Sequence, residues 1–186
     1  MAISDVAICN SALAKIGVER ILSLDEDSPQ ARLCKQEYQN VVNDLLRSHP
    51  WNFAIKRIEL VANNVTPAFG YTYTLPLPGD CMRVLEVDAE GKEWQKEGAA
   101  LVSHYNTLGI KYVSNSIPVG MFDANFEQVV ALKLAYDLCY SFVQSVTLKQ
   151  LIKKDFEDAL RTARSFDGQE GATRQVYAKD WQNARY

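Results

Sequence analysis

The periodicity of apolar residues changes twice along the chain, and that succession limits the fold more than any other sequence feature. Val6, Cys9, Leu13 and Ile16 recur at three- and four-residue steps, the stripe of an amphipathic helix. Ser4 ahead of the stripe can cap a helix, and Gly17 behind it can take the left-handed conformation that ends one. A helix is therefore predicted over 5–16. A loop over 18–27 follows, in which Ile21, Leu22 and Leu24 are expected to pin the chain to the core. Ser28 and Pro29 are a strong start signal, as N-cap and first helical residue, for a second helix ending near Arg47. Its predicted buried face is Cys34, Tyr38, Val41, Leu45 and Leu46. Pro50 closes it, and the large rings of Trp51 and Phe53 are expected to cover the open end of the helical layer.

Between 55 and 122 the texture turns to short extended runs separated by turn residues. Tyr71, Tyr73 and Leu75 alternate with Thr72 and Thr74, the period of a half-buried strand. Further strands are predicted over 82–88 and 92–95, joined at Glu90-Gly91, and over 100–103 and 110–114, paired with each other around a turn at 106–109. Together they predict one small antiparallel sheet of about four to six strands. Helical spacing returns over 125–143, where Phe126, Val129 or Val130, Leu132, Tyr136, Cys139 and Phe142 or Val143 are spread widely enough to predict burial on more than one side. Thr147 and Gln150 form a capping-box pattern for a last helix ending near Ser165. Its predicted inner face is Leu148, Ile152, Phe156, Ala159, Leu160 and Ala163.

The order of elements predicts an α+β protein. Helix pairs from 1–54 and 123–166 are expected to form a helical bundle, with 55–122 as an inserted antiparallel β lobe. The remaining 167–186 has too few large apolar groups to build a core and is predicted to be an extended arm. Its Val176, Tyr177, Trp181 and Tyr186 are the kind of side chains that anchor interfaces.

Composition narrows the function classes. A chain of 186 residues with 47% hydrophobic and 23% charged residues is long enough for one well-filled core. Apolar stretches are broken well before the roughly 20 residues that span a bilayer, so no membrane association is expected. Met1 to Asp5 also lacks the basic and apolar pattern of a secretion leader. The net charge of −3, with no basic pole in any third of the chain, argues against a dedicated nucleic-acid binder. Cys9, Cys34, Cys81 and Cys139 are far apart in sequence and read as reduced thiols of a cytoplasmic product.

Chemistry-bearing motifs are sparse. Asp25 and Asp27, with Glu26 between them, are candidates for a divalent cation, since hard cations take several oxygen ligands. They also sit just before the Ser28 cap, where negative charge complements a helix dipole, and that reading is preferred. His49 and His104 lie in no nucleophile motif and are expected to be structural. Tyr71 and Tyr73 could stack bases only beside a basic groove, which the composition of this region does not provide. No phosphate loop, dinucleotide fingerprint, zinc-protease helix or serine elbow is present. No catalytic residue, metal or cofactor is therefore expected. The competing classes are a small metal-dependent hydrolase built on Asp25 and Asp27 and a DNA-binding regulatory protein.

Three runs carry a resemblance: Cys9-Asn10-Ser11-Ala12-Leu13-Ala14-Lys15-Ile16-Gly17, then Ile21-Leu22-Ser23-Leu24-Asp25-Glu26-Asp27-Ser28, then Ser48-His49-Pro50-Trp51-Asn52-Phe53-Ala54. Tyr73-Thr74-Leu75-Pro76 and Pro78-Gly79-Asp80-Cys81-Met82-Arg83-Val84 extend it. This progression resembles tail tubular protein A and related head-to-tail adaptor proteins of tailed bacteriophages, closely over the first half and through element order beyond it. The resemblance implies a structural virion protein of the neck, assembled in the host bacterial cytoplasm as a homo-oligomeric ring of twelve subunits. Such a ring would bind the portal protein above and a tail or nozzle protein below, with DNA passing through unbound by sequence. An acidic lumen suits that passage, because it repels phosphates.

Overall fold

The computed structural model describes residues 4–88 and 93–170. The predicted arm anchors Val176, Tyr177, Trp181 and Tyr186 and the predicted turn at Glu90-Gly91 lie outside the described residues. Among the described residues four α-helices and six strands make an α+β protein: α1 (Asp5–Lys15), α2 (Pro29–Ser48), β1 (Ile55–Val61), β2 (Tyr73–Pro76), β3 (Cys81–Asp88), β4 (Trp94–Glu97), β5 (Ala100–Ser103), β6 (Thr107–Ser114), α3 (Ala124–Phe142) and α4 (Val146–Gln169).

Local chemistry explains the helix boundaries. The Ser4 and Ser28 hydroxyls accept from the N–H groups of Ala7 and Ala31, each at 3.2 Å, which satisfies donors that a first helical turn leaves open. Gly17 has a φ of +70° behind α1, the left-handed conformation expected of it. The loop after α1 is tied down by Asn10, whose amide donates to the Ile21 carbonyl at 2.9 Å and accepts from the Ile21 N–H at 2.8 Å. Ile21 is buried as predicted, and Leu24 packs partly against the core. Leu22, by contrast, is 94% exposed and pins nothing.

The cap of α4 differs from the expected one. Ser145, not Thr147, accepts from the Leu148 N–H at 3.2 Å, following a reversal at Gln144 with a φ of 52°. The helix then runs four residues beyond Ser165, to Gln169, for a reason that lies in its distant partners. Helix α3 sits centrally, touches the other three helices, and buries residues on several sides, including Phe126, Val130, Leu134 and Leu138. Helix α4 rests on α3 with only Ile152 and Ala163 fully buried.

The strands form two sheets, where one was expected. β1, β6 and β3 form an antiparallel sheet in that spatial order, and β2, β5 and β4 form a second. β5 and β6 do not pair with each other. Each is the central strand of its own sheet, with buried side chains at Leu101 and Val102 in β5 and at Leu108, Ile110, Tyr112 and Val113 in β6. The two sheets meet through a small core in which Leu75 and Leu101 pack with Leu60, Leu108, Ile110 and Tyr112. On the other face of the first sheet Val113, Met82 and Leu85 join the helical core. The hairpin between β4 and β5 turns at Gly98-Ala99, where Gly98 has a φ of +55° that glycine takes without steric cost.

Candidate interaction site at the end of α4

The segment Ser48-His49-Pro50-Trp51-Asn52-Phe53 folds into a corner between α2 and β1, and each of its polar groups has a defined task. The Ser48 hydroxyl donates to the Leu45 carbonyl at 2.8 Å and the Trp51 indole N–H donates to the same oxygen at 2.9 Å, so side chains close the end of α2. The Trp51 ring is buried among His49, Phe53 and Phe126, with centroids 4.7, 6.2 and 4.9 Å away. Phe122 completes the cluster against Phe53 and Phe126. These rings cover the open end of the helical layer, as the sequence predicts.

The last turns of α4 are held on this corner. Asp167 accepts from the Asn52 N–H at 2.8 Å and meets His49 Nε2 at 2.9 Å, while the Asn52 side-chain amide donates to the Asp167 carbonyl at 2.5 Å. One turn earlier Arg164 donates to the Ser48 hydroxyl at 3.2 Å. A carboxylate near a helix C-terminus faces the negative end of the dipole, so Asp167 is favourable there only because the corner supplies donors. These bonds extend α4 past Ser165. Replacing Asp167 by Ala is expected to lower the unfolding free energy by about 2 kcal/mol and to speed amide exchange over 164–169, measured by urea denaturation and hydrogen-exchange mass spectrometry.

A trough starts at this corner and runs along the sheet formed by β1, β6 and β3, on the face that carries Val113 and beyond the helical core. Its near end, about 380 Å³, is bounded by Asp167, Gly168, Pro50, Ile55 and Leu85. Lys111 and Glu86 are shared with its far end of about 580 Å³, lined by Arg57, Glu59, Asp88 and Gly109. Gly109 stands opposite both Glu59 and Asp88 in the strand register and supplies no side chain, which opens the floor between them. A Cβ at that position would sit 3.2 Å from the Cβ of Asp88.

The other sequence candidates are dispersed. Asp25 pairs with Lys35 at 2.7 Å, Asp27 pairs with Arg32 at 2.5 Å, and Glu26 accepts from the Leu22 N–H at 2.8 Å. Lys35 holds the Asp25 carboxyl below its ordinary range, and the Leu22 N–H does the same for Glu26. The three carboxylates thus turn to separate partners. Among the described residues no three His, Cys, Asp or Glu side chains converge as metal ligands would. His104 lies far from His49, bonded through Nδ1 to the Thr72 hydroxyl at 3.0 Å and resting on the Tyr71 ring. Cys9, Cys34 and Cys139 are buried and Cys81 is half-buried, all as free thiols. Hydrogen bonding to Cys34 and then burial push the Cys9 thiol up, which makes it a poor nucleophile. No described helix is long and apolar enough to cross a membrane.

No known protein family matches the chain, and no curated protein does.

Asp167 is the residue of this corner that sequence reasoning assigned to the wrong element, the arm over 167–186 instead of α4. Its polar neighbourhood and nearby Gly168 and Gly171 resemble a linker, and its partners His49 and Asn52 lie more than a hundred residues away. A helix-period reading extended past Ser165 to Phe166 would have been the one available signal.

Proposed function

We propose that the chain is a structural subunit of a bacteriophage head-to-tail adaptor, in which the folded layers build a homo-oligomeric ring and the C-terminal segment couples it to a neighbour or the portal. The observation that carries this reading is the corner at His49 to Phe53. The residues that bear the resemblance hold Asp167, four residues ahead of the segment whose Val176, Tyr177, Trp181 and Tyr186 are suited to grip a partner. Asn10 and Ile21, from the other two runs, likewise act in the scaffold. Such a division, a rigid scaffold launching a polar arm with aromatic anchors, suits a connector that folds onto its partner.

In this reading 1–54 and 123–166 form the helical bundle of the ring and 55–122 forms a lobe facing the next tail component. The ring has twelve members, sits in the virion neck, and gives DNA a mildly repulsive channel. Its work is mechanical and needs no cofactor. The test is electron microscopy of the chain mixed with a bacteriophage portal protein. Rings with a central channel seated on the portal are the expected result. Deleting 171–186 should leave a folded subunit that no longer joins the portal. Normal occupancy by the truncated chain would overturn the arm's role, and the lack of any ring in the full-length mixture would overturn the adaptor reading.

A further inference from the structure

We infer that the trough across β1, β6 and β3 is the seat of residues 171–186 of the same chain before any partner is engaged. The inference concerns the isolated subunit and does not depend on the adaptor reading.

Continuity is the first argument. The near end of the trough is bounded by Asp167 and Gly168, and the described chain ends at Glu170 beside it. Sixteen extended residues reach about 55 Å, more than twice the roughly 23 Å length of a seven-residue strand, so the segment can enter the trough and follow it to Gly109. Gly171 follows directly and permits the reversal of direction that entry requires.

Chemistry is the second. The near end offers apolar surface from Pro50, Ile55 and Leu85, all half-buried, which suits Val176 and Tyr177. The far end carries Glu59, Glu86 and Asp88 against Arg57 and Lys111, an excess of negative charge. Within 171–186 the balance is reversed, with Arg174, Lys179 and Arg185 against Asp180. Tethering decides between the chain's own segment and that of a second copy. A segment attached at the mouth of the trough has an effective concentration in the millimolar range, which outcompetes a free neighbour at micromolar concentration.

The test uses the full chain and trypsin, which cleaves after Arg174 and Lys179. Cleavage there is expected to be about tenfold faster in the Glu59→Lys, Asp88→Lys double variant than in the native chain, with native protection unchanged on about hundredfold dilution. Because the double variant alters the sheet, a second variant, Arg174→Glu with Arg185→Glu, changes only the segment and leaves Lys179 as the cleavage site. It should show the same acceleration, and joining both sets of reversals should restore protection. Equal rates in native chain and both variants would overturn the inference. Protection that falls on dilution would overturn it in favour of a second copy as the occupant.

Discussion

Trp51→Ala is expected to lower the unfolding free energy by about 3–5 kcal/mol, the largest loss from any single substitution considered in the helical layer. Trp51 is 1% exposed and does two things at once. Its ring is the contact between His49, Phe53 and Phe126, and its N–H is one of two donors on the Leu45 carbonyl that closes α2. Alanine would remove both and leave a cavity beside His49. The loss should spread to the bonds from His49 and Asn52 to Asp167, so the end of α4 should loosen along with the core. Trp51→Phe keeps most of the ring contact and loses the hydrogen bond, and a smaller cost of about 1–2 kcal/mol is expected. Urea denaturation followed by circular dichroism measures both. Trp94→Phe serves as a control, because Trp94 is 40% exposed and its replacement should change stability by less than about 0.5 kcal/mol. A Trp51→Ala cost no larger than that of the control would overturn the role given to the corner.

The second large effect is expected at Asp80, in the turn before β3. Its carboxylate accepts from Lys56 Nζ at 2.8 Å, from the Ser114 hydroxyl at 2.8 Å and from the Tyr112 hydroxyl at 3.2 Å. Its backbone carbonyl also accepts from the Asn115 N–H at 3.0 Å. One side chain thus joins β1 to the end of the β3–β6 ladder where Cys81 stands opposite Ser114. Ser114 is fully buried, so Asp80→Ala would strand a hydroxyl away from water and leave Lys56 without its counter-charge. A loss of about 3 kcal/mol is expected. The effect should depend on pH. Lys56 above all, then the Ser114 and Tyr112 hydroxyls, hold this carboxyl below its ordinary range against the opposing cost of burial. Because the folded value is the lower one, the stabilisation is complete above the ordinary carboxylate value near 3.9 and is lost as pH falls through the folded value. Asp80→Asn lacks that component, so the stability gap between it and the native chain should close as pH drops below about 4. A gap that stayed constant from neutral pH to pH 2 would show that the carboxylate's charge contributes nothing.

Helices were legible in the sequence because their signals are local. Ser4, Ser28 and Pro29 act on neighbours three residues away, and the stripes of α1, α2 and α3 are read from spacing alone. Strand pairing is not local in that sense. The runs containing Leu101 and Ile110 are neighbours in sequence and extended, which favours a hairpin, yet β5 lies between β2 and β4 and β6 between β1 and β3. β1 was missed as a distinct strand because Lys56, Arg57 and Glu59 interrupt any alternation, and its place is set by the ladder to β6. The polar nodes were the least visible. Nothing around Asp80 or Asp167 in the sequence announces Lys56, Ser114, His49 or Asn52 as partners. The residues at the corner were noticed, but as a pattern, and only the fold gives each a task.

The hold of that corner on α4 bears on how the molecule would respond to being pulled. With Ile152 and Ala163 its only fully buried residues, α4 taken alone would peel from α3 turn by turn, beginning at Gln169. Asp167 and Arg164 tie its final turns to Ser48 at the end of α2 and to Asn52 in the corner ahead of β1. Tension applied through 171–186 therefore passes directly into the aromatic cluster around Trp51, where several contacts must fail together, and the helix between is spared the strain.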